Sequence, residues 1–364
     1  MHYIQENTNI PVPHIHAFGQ SPIVKNSSKM QAFLIMDYIP GRSLDLLSLV
    51  NETEERRTQF FSELIDIFVQ LRKLEFHAVG SLIPDPTGQS KYVVGNFRSM
   101  PMNELQMQKQ RRRQLTFTSA TRFVDELFDI LSEIYRMPIE ELSRETAELE
   151  LFALHILAKE IPKILDSQWD QGPFVLTHAD LRCANIIVDD DFHIRGVIDW
   201  EWASTVPRQF FTPPSWITGL DLDSLRGISK DIYAEFRHVL QAKSKVSSDY
   251  DRLLEVWDFD HTLTLPLTRI LQHPTSLIPV FYRFIYPKMF QETRHEFVPR
   301  FFRSYRNWPL ELEVRQRLNA SYRYTQYLKD NGLFVVDEQS QKINEWLLKG
   351  RELEMKLGLT TESV

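Results

Sequence analysis

Cysteine is almost missing from this sequence: Cys183 is the only one in 364 residues. An internal disulfide is therefore excluded, and a reducing compartment suits the chain. No run of 18 apolar residues occurs, which excludes a membrane-spanning helix of ordinary length. The first residues form neither a signal peptide nor an Arg- and Ser-rich transit peptide. The expected location is thus cytoplasmic, with a mitochondrial leader left open should residues precede Met1. Glycine is scarce, at 12 residues, and no G-x-G-x-x-G pattern occurs. No repeat, low-complexity tract or Gly/Ser linker divides the chain. Excess positive charge is absent too: 42 Lys and Arg stand against 49 Asp and Glu, a net charge of −7. Such a chain repels phosphate backbones and anionic membranes, so no nucleic acid and no membrane is expected as a partner. The basic run Lys109 to Arg113 lacks interleaved aromatics and reads as a solvated helix face.

What is present is a 43% apolar chain, enough to fill one large or two moderate cores. Its most informative stretch is residues 174–202. His178-x-Asp180-Leu181-x-x-x-Asn185 is followed by Asp199 at the end of a second apolar run. Phosphoryl transfer asks few groups of a protein: a carboxylate for the substrate hydroxyl, and oxygen ligands for magnesium on the phosphates. Asp180 can supply the first, Asn185 and Asp199 the second. The spacing is that of a kinase catalytic loop. His178 reads as an organiser of that loop, with proton abstraction left to Asp180.

Residues 186–188 and 193–198 read as two short strands rich in β-branched side chains. Asp189-Asp190-Asp191-Phe192 between them is a polar turn, which predicts a hairpin returning Asp199 to Asn185. Glu201, in an extended segment, would face the same side as Asp199 and reach a second magnesium or a substrate ammonium. Trp200 and Trp202 would then serve the core on the opposite side.

These residues resemble the aminoglycoside phosphotransferase family, in particular its fungal branch. Further anchors fall in order: Ile10-Pro11-Val12-Pro13, Phe33 to Gly41, Phe76 with Val79-Gly80-Ser81-Leu82, Val197 to Trp202, and Val206-Pro207 with Phe210-Phe211 and Pro213-Pro214. They cover roughly residues 3 to 220. Ala179 stands where the family often has glycine, and Arg182-Cys183-Ala184-Asn185 where many members have His-Pro-x-Asn or a similar run. The resemblance implies an α+β, protein-kinase-like fold of two lobes. Residues 1–40 would be an N-terminally truncated remnant of the small lobe: a helix end, two strands near 13–18 and 32–38, and a hinge. Residues 41–364 would form a mainly helical large lobe with the catalytic loop 178–185 and the metal-binding segment 199–201. It further implies ATP and Mg²⁺ as cofactors, backbone groups of Met36, Asp37 and Tyr38 on adenine, and a small molecule bearing a hydroxyl as acceptor.

The front of the chain departs from this pattern. A kinase-like lobe needs a Gly-rich hairpin and a strand lysine on the phosphates. Nine residues precede Ile10, and the first lysines, Lys25 and Lys29, fall in a polar loop after the first strand. Weak ATP binding by the chain as written is the expectation. A non-catalytic pseudokinase used as a binding or regulatory module is the alternative. A protein-Ser/Thr kinase fits less well, because Asp199-Trp200-Glu201 replaces D-F-G and no A-P-E run follows.

Elsewhere, apolar residues at helical spacing mark three stripes expected to pack cores: Phe60 to Leu71, Phe123 to Ile134, and Leu149 to Leu157. Later proline-punctuated helices, such as those near 253–257, 278–286 and 312–328, are where the family's substrate walls would lie. His14 and His16 alternate on one strand side without the company that zinc needs. Asp258-Phe259-Asp260-His261 reads as polar surface. Oligomeric state leaves no signal.

Overall fold

The computed structural model describes residues 1–22, 30–109, 116–220, 228–257 and 263–335. Lys25, Lys29, most of the Lys109–Arg113 run and the Asp258–His261 segment therefore lie outside the described residues. The chain divides into two compact units, one of Met1–Tyr135 with Phe152–Phe297, the other of Arg136–Leu151 with Val298–Val364.

In the first unit, the helix Glu54–Arg72 forms the spine of the core. Thr53 caps its start by accepting from the Arg56 amide, Glu54 and Glu55 occupy the first turn, and Arg72 the last, each matching the helix dipole. Phe60, Phe61, Leu64, Ile65, Phe68 and Leu71 are all buried, as the spacing predicts. Phe61 meets Phe236 edge-on, and Phe68 meets both Phe211 and Trp257. Each such ring contributes about 1.5–3 kcal/mol through burial alone.

Two three-stranded antiparallel sheets carry the motif residues. In one, Phe174–Thr177 lies between Glu75–Phe76 and Ser204–Val206. In the other, Ile186–Val188 lies between Arg42–Ser43 and Ile194–Val197. The expected hairpin is formed, with Ile186 opposite Val197. Asp189 closes its turn, its Oδ1 accepting from the amides of Asp191 and His193. Gly41, at φ 141°, brings the chain so near this hairpin that a Cβ would sit 2.6 Å from the Val188 carbonyl oxygen.

The amino-terminal part is the short helix His2–Asn7 and an antiparallel pair, Ile15–Ser21 with Gln31–Met36. One edge bond continues past the pair, from the Asp37 amide to the His14 carbonyl. His14 and His16 do share a side, and His16 Nε2 bonds Asp37 Oδ1 at 2.6 Å. Phe18, Leu34, Ile35, Met36 and Tyr38 are exposed.

The second unit is built on the helix Trp308–Asp330. Arg317 and Glu150 form an ion pair at 2.5 Å, at 7% and 9% exposure. Glu311 accepts from Arg144 and Arg315. Ser321 and Thr325 accept the amides of Leu142 and Glu141.

Candidate active site

The strand Phe174–Thr177 is wholly buried and delivers the chain into the loop at His178. Burial pushes the His178 imidazole pKa down, more than the nearby charges of Asp180 and Asp199 hold it up. The ring is thus neutral, and both nitrogens are engaged. Nε2 lies 2.8 Å from the Ile198 carbonyl oxygen and so carries the proton, while Nδ1 accepts from the Asp180 amide at 3.4 Å. Trp200 stacks at a tilt on this ring, its centroid 4.6 Å away, and its own Nε1 donates to the Val197 carbonyl. A histidine held at both nitrogens orients the loop, and its one N–H proton is committed to the Ile198 carbonyl.

Ala179 follows at φ 64°, in the left-handed region that glycine enters freely and alanine does not. That turn aims Asp180 into the cavity described below. The Leu181 carbonyl is pinned by Trp216 Nε1 at 3.0 Å. Asn185 is buried, and its Nδ2 donates to the Asp180 carbonyl at 2.8 Å and lies 3.4 Å from Asp180 Oδ2. Among the described residues, no hydrogen bond is made to the side-chain oxygen of Asn185.

The hairpin brings the second aspartate back. The Ile198 amide donates to the Asn185 carbonyl at 3.0 Å, so Asp199 begins one residue beyond a bond to the other predicted metal ligand. Asp199 is exposed and left-handed at φ 66°, a conformation aspartate tolerates. Its carboxylate caps no backbone amide of the turn that follows. Among the described residues, no three His, Cys, Asp or Glu side chains gather to hold a metal alone. Magnesium does not ask for that: it takes one or two protein oxygens, completed by waters and substrate phosphates. One amide oxygen and one carboxylate, both hard donors, fit this requirement.

The geometry expected for Glu201 is overturned. Residues Trp200–Trp202 wind into a 3₁₀ turn instead of an extended strand, so the two-residue alternation from Asp199 to Glu201 is lost. The left-handed Asp199 bends the chain there, and period-two reasoning cannot see such a bend. Trp200 is buried as expected, but Trp202 lines the cavity instead of the core. Met36 ends its strand at 42% exposure, Asp37 carries the ion pair to His16, and Tyr38 is 83% exposed.

The cavity measures about 440 Å³. Its polar floor is the loop from Thr177 to Arg182, and Phe97, Phe123, Leu127, Ile130 and Phe210 supply an apolar wall. Of the stripe Phe123, Leu127, Ile130, Ile134, expected to pack a core, the first three are buried as expected, and all four also line this cavity. Leu265, Arg269 and His273, from the helix Thr264–Gln272 and its end, close another side. Arg182, already marked in the sequence as a departure from the family run, donates to Asp180 Oδ2 through Nε at 3.1 Å and a terminal nitrogen at 3.0 Å. Sequence reasoning passed over Arg98 and Arg269, which line the cavity from distant segments and carry no local signal.

A family model described as the phosphotransferase enzyme family matches residues 1–210. The chain belongs to that family. As in other members, its fold is of the kinase-like α+β kind, and phosphotransferases of this family use ATP and a divalent metal in general. A curated relative of this chain is the clavilactone A biosynthesis cluster protein Y of Ampulloclitocybe clavipes. The two are 25% identical over 239 residues, 64% of this chain and 55% of the relative. This chain thus spans about half the length of the curated relative it matches. Among solved structures, a thermostable mutant of aminoglycoside phosphotransferase APH(4)-Ia is similar at 15% identity and TM-score 0.40, over 75% of this chain and 74% of that one. An ethanolamine kinase of Plasmodium vivax is similar at 15% identity and TM-score 0.35, over 76% and 67%. At such scores neither adds to the assignment. Among the described residues, no helix is long and apolar enough to cross a membrane.

Proposed function

We propose that this phosphotransferase moves the γ-phosphoryl group of ATP to a hydroxyl of a small molecule held in the cavity. The observation that supports this is the closure of the motif: the backbone bond from Ile198 to Asn185, and the side-chain bond from Asn185 to the Asp180 carbonyl, tie together the segments that carry Asp180, Asn185 and Asp199. Asp180 accepts the proton as the substrate oxygen bonds to the γ-phosphorus and the bridging bond to ADP breaks. With Oδ2 held by Arg182, Oδ1 is the oxygen that faces the hydroxyl; among the described residues nothing donates to it. Asn185 Oδ1 and Asp199 would hold magnesium. When bound, that ion neutralises charge developing on the transferring phosphate. His178 positions the loop, and the backbone of 36–38 meets adenine. Residues 1–40 would serve the nucleotide and 41–364 the acceptor, in the cytoplasm. The test is magnesium-dependent thermal stabilisation by a non-hydrolysable ATP analogue. No shift with saturating analogue and magnesium would sink the reading.

A further inference from the structure

All but one of the described indoles are already engaged. Trp200, Trp216 and Trp257 each donate to a backbone carbonyl, and Trp169 and Trp308 lie under the guanidinium groups of Arg208 and Arg315. Trp202 is the exception: among the described residues, its side chain has no hydrogen bond, ring contact or cation to meet. It is half-buried, and it lines the cavity whose floor bears Asp180. A large ring left without a partner in a concave site is a surface for a ligand. The same lining holds Phe97, Phe123 and Phe210. These three rings are buried and brace one another edge-on, with centroids 4.9 Å apart from Phe97 to Phe123 and 5.4 Å from Phe123 to Phe210. A wall locked in this way keeps its shape, so the space it faces is formed before a ligand arrives. Around it, Ile134 and Leu265 are half-buried and Met100 is 51% exposed. Apolar surface left wet in a concavity gains only when an apolar body displaces the water.

We propose that the acceptor substrate is an aryl alcohol, a planar apolar ring system bearing a hydroxyl, and that Trp202 selects it by stacking on the ring while the hydroxyl meets Asp180. This rests on the phosphotransferase reading above and narrows it. The transfer itself is unchanged: the alcohol oxygen bonds to the γ-phosphorus, its proton passes to Asp180, and ADP leaves. Trp202 takes no part in that step and sets which alcohol is held for it. Stacking suits the task, because an indole offers a broad rigid face at little cost in side-chain freedom. A sugar of the same size would turn hydroxyls toward the phenylalanines, whose rings offer them no partner, and burying them so is costly.

The experiment compares four probes, benzyl alcohol, 2-naphthylmethanol, myo-inositol and glucosamine. Binding of each to the full chain is titrated by ligand-observed NMR, without nucleotide and so without turnover. The expected result is that 2-naphthylmethanol binds at least ~10-fold more tightly than benzyl alcohol, with both sugar-sized polyols weaker than either. Trp202→Ala should cost the naphthyl probe roughly 5-fold or more, and Trp202→Phe, which keeps an aromatic face, should retain part of that. Met100→Gln, at an exposed position, should weaken the same probe should Trp202→Ala fold poorly. Polyols that bind as well as the aryl alcohols, no binding by any probe, or an affinity unchanged in both Trp202→Ala and Met100→Gln would overturn the proposal. So would a Trp202→Ala protein that loses the ATP analogue but keeps the alcohols, since the indole would then serve the nucleotide. Aryl-alcohol binding that follows the expected order in a chain taking up no ATP analogue would instead sink the phosphotransferase reading and leave the ring site standing.

Discussion

Arg182 holds Asp180 by a single carboxylate oxygen, through two donors at 3.1 and 3.0 Å. The two residues are two positions apart, so the contact closes within the loop. It ties the Asp180 carboxylate, 16% exposed, to its place on the cavity lining by that one oxygen. The position at which this chain departs from the run of the family it resembles thus acts directly on the Asp180 carboxylate.

Asp180→Asn should abolish transfer and leave the fold intact. The amide keeps the shape of the side chain but cannot take a proton, a loss of ~10²–10⁴-fold from the base alone. Turnover by the purified variant, checked against an unchanged circular dichroism spectrum, measures it. Near-normal turnover would end the assignment.

Asp199→Ala should weaken magnesium-dependent binding of a non-hydrolysable ATP analogue far more than Glu201→Ala. Asp199 follows directly on the Ile198–Asn185 bond, whereas Glu201 sits in an exposed 3₁₀ turn. Calorimetric titration of both variants, with and without magnesium, decides between them. If the glutamate proved the more damaging loss, the ligand set would be wrong.

Ala179→Gly should stabilise the protein. At φ 64° the alanine Cβ crowds its own backbone, and the exposed side chain has little packing to lose. Relief of about 1–2 kcal/mol, less the entropy that glycine adds to the unfolded chain, leaves about 0.5–1 kcal/mol. Urea denaturation of the two proteins gives the difference directly. A destabilised variant would show that the left-handed turn is not strained.

Acidification should destabilise the protein, and His273→Gln should blunt the effect. The native His273 resists protonation down to about 3, first through desolvation and then through the charges of Arg269 and Arg182. The unfolded chain takes up that proton near the ordinary histidine value of ~6.5. The folded pKa is lowered, so its contribution is present above ~6.5 and is lost as the pH falls toward 3. His193, whose pKa Glu63 raises, works in the opposite direction but is common to both proteins. Melting temperatures from pH 7 to 5 should fall more steeply for the parent than for the variant. Parallel slopes would refute the assignment.

The sequence by itself determined the local architecture of the site. The His178 to Asn185 spacing, the β-branched runs and the Asp189 turn specify a loop and a hairpin through contacts a few residues apart, and such contacts are written in order along the chain. The apolar stripe of Glu54–Arg72 was legible for the same reason: helical spacing survives whatever the helix packs against. The turn at Asp199 was not, because one left-handed residue breaks the period on which the placing of Glu201 and Trp202 relied. Nor does spacing tell a stripe that packs a core from one that walls a cavity; Phe123, Leu127 and Ile130 look the same in either case. Arg98 comes from a segment far in the chain from Arg269 and His273, and only tertiary folding brings them to the cavity that Asp180 lines. Electrostatic energy depends on distance in space, which sequence separation does not encode. The motif is therefore carried by local spacing, and the make-up of the cavity around it by the fold.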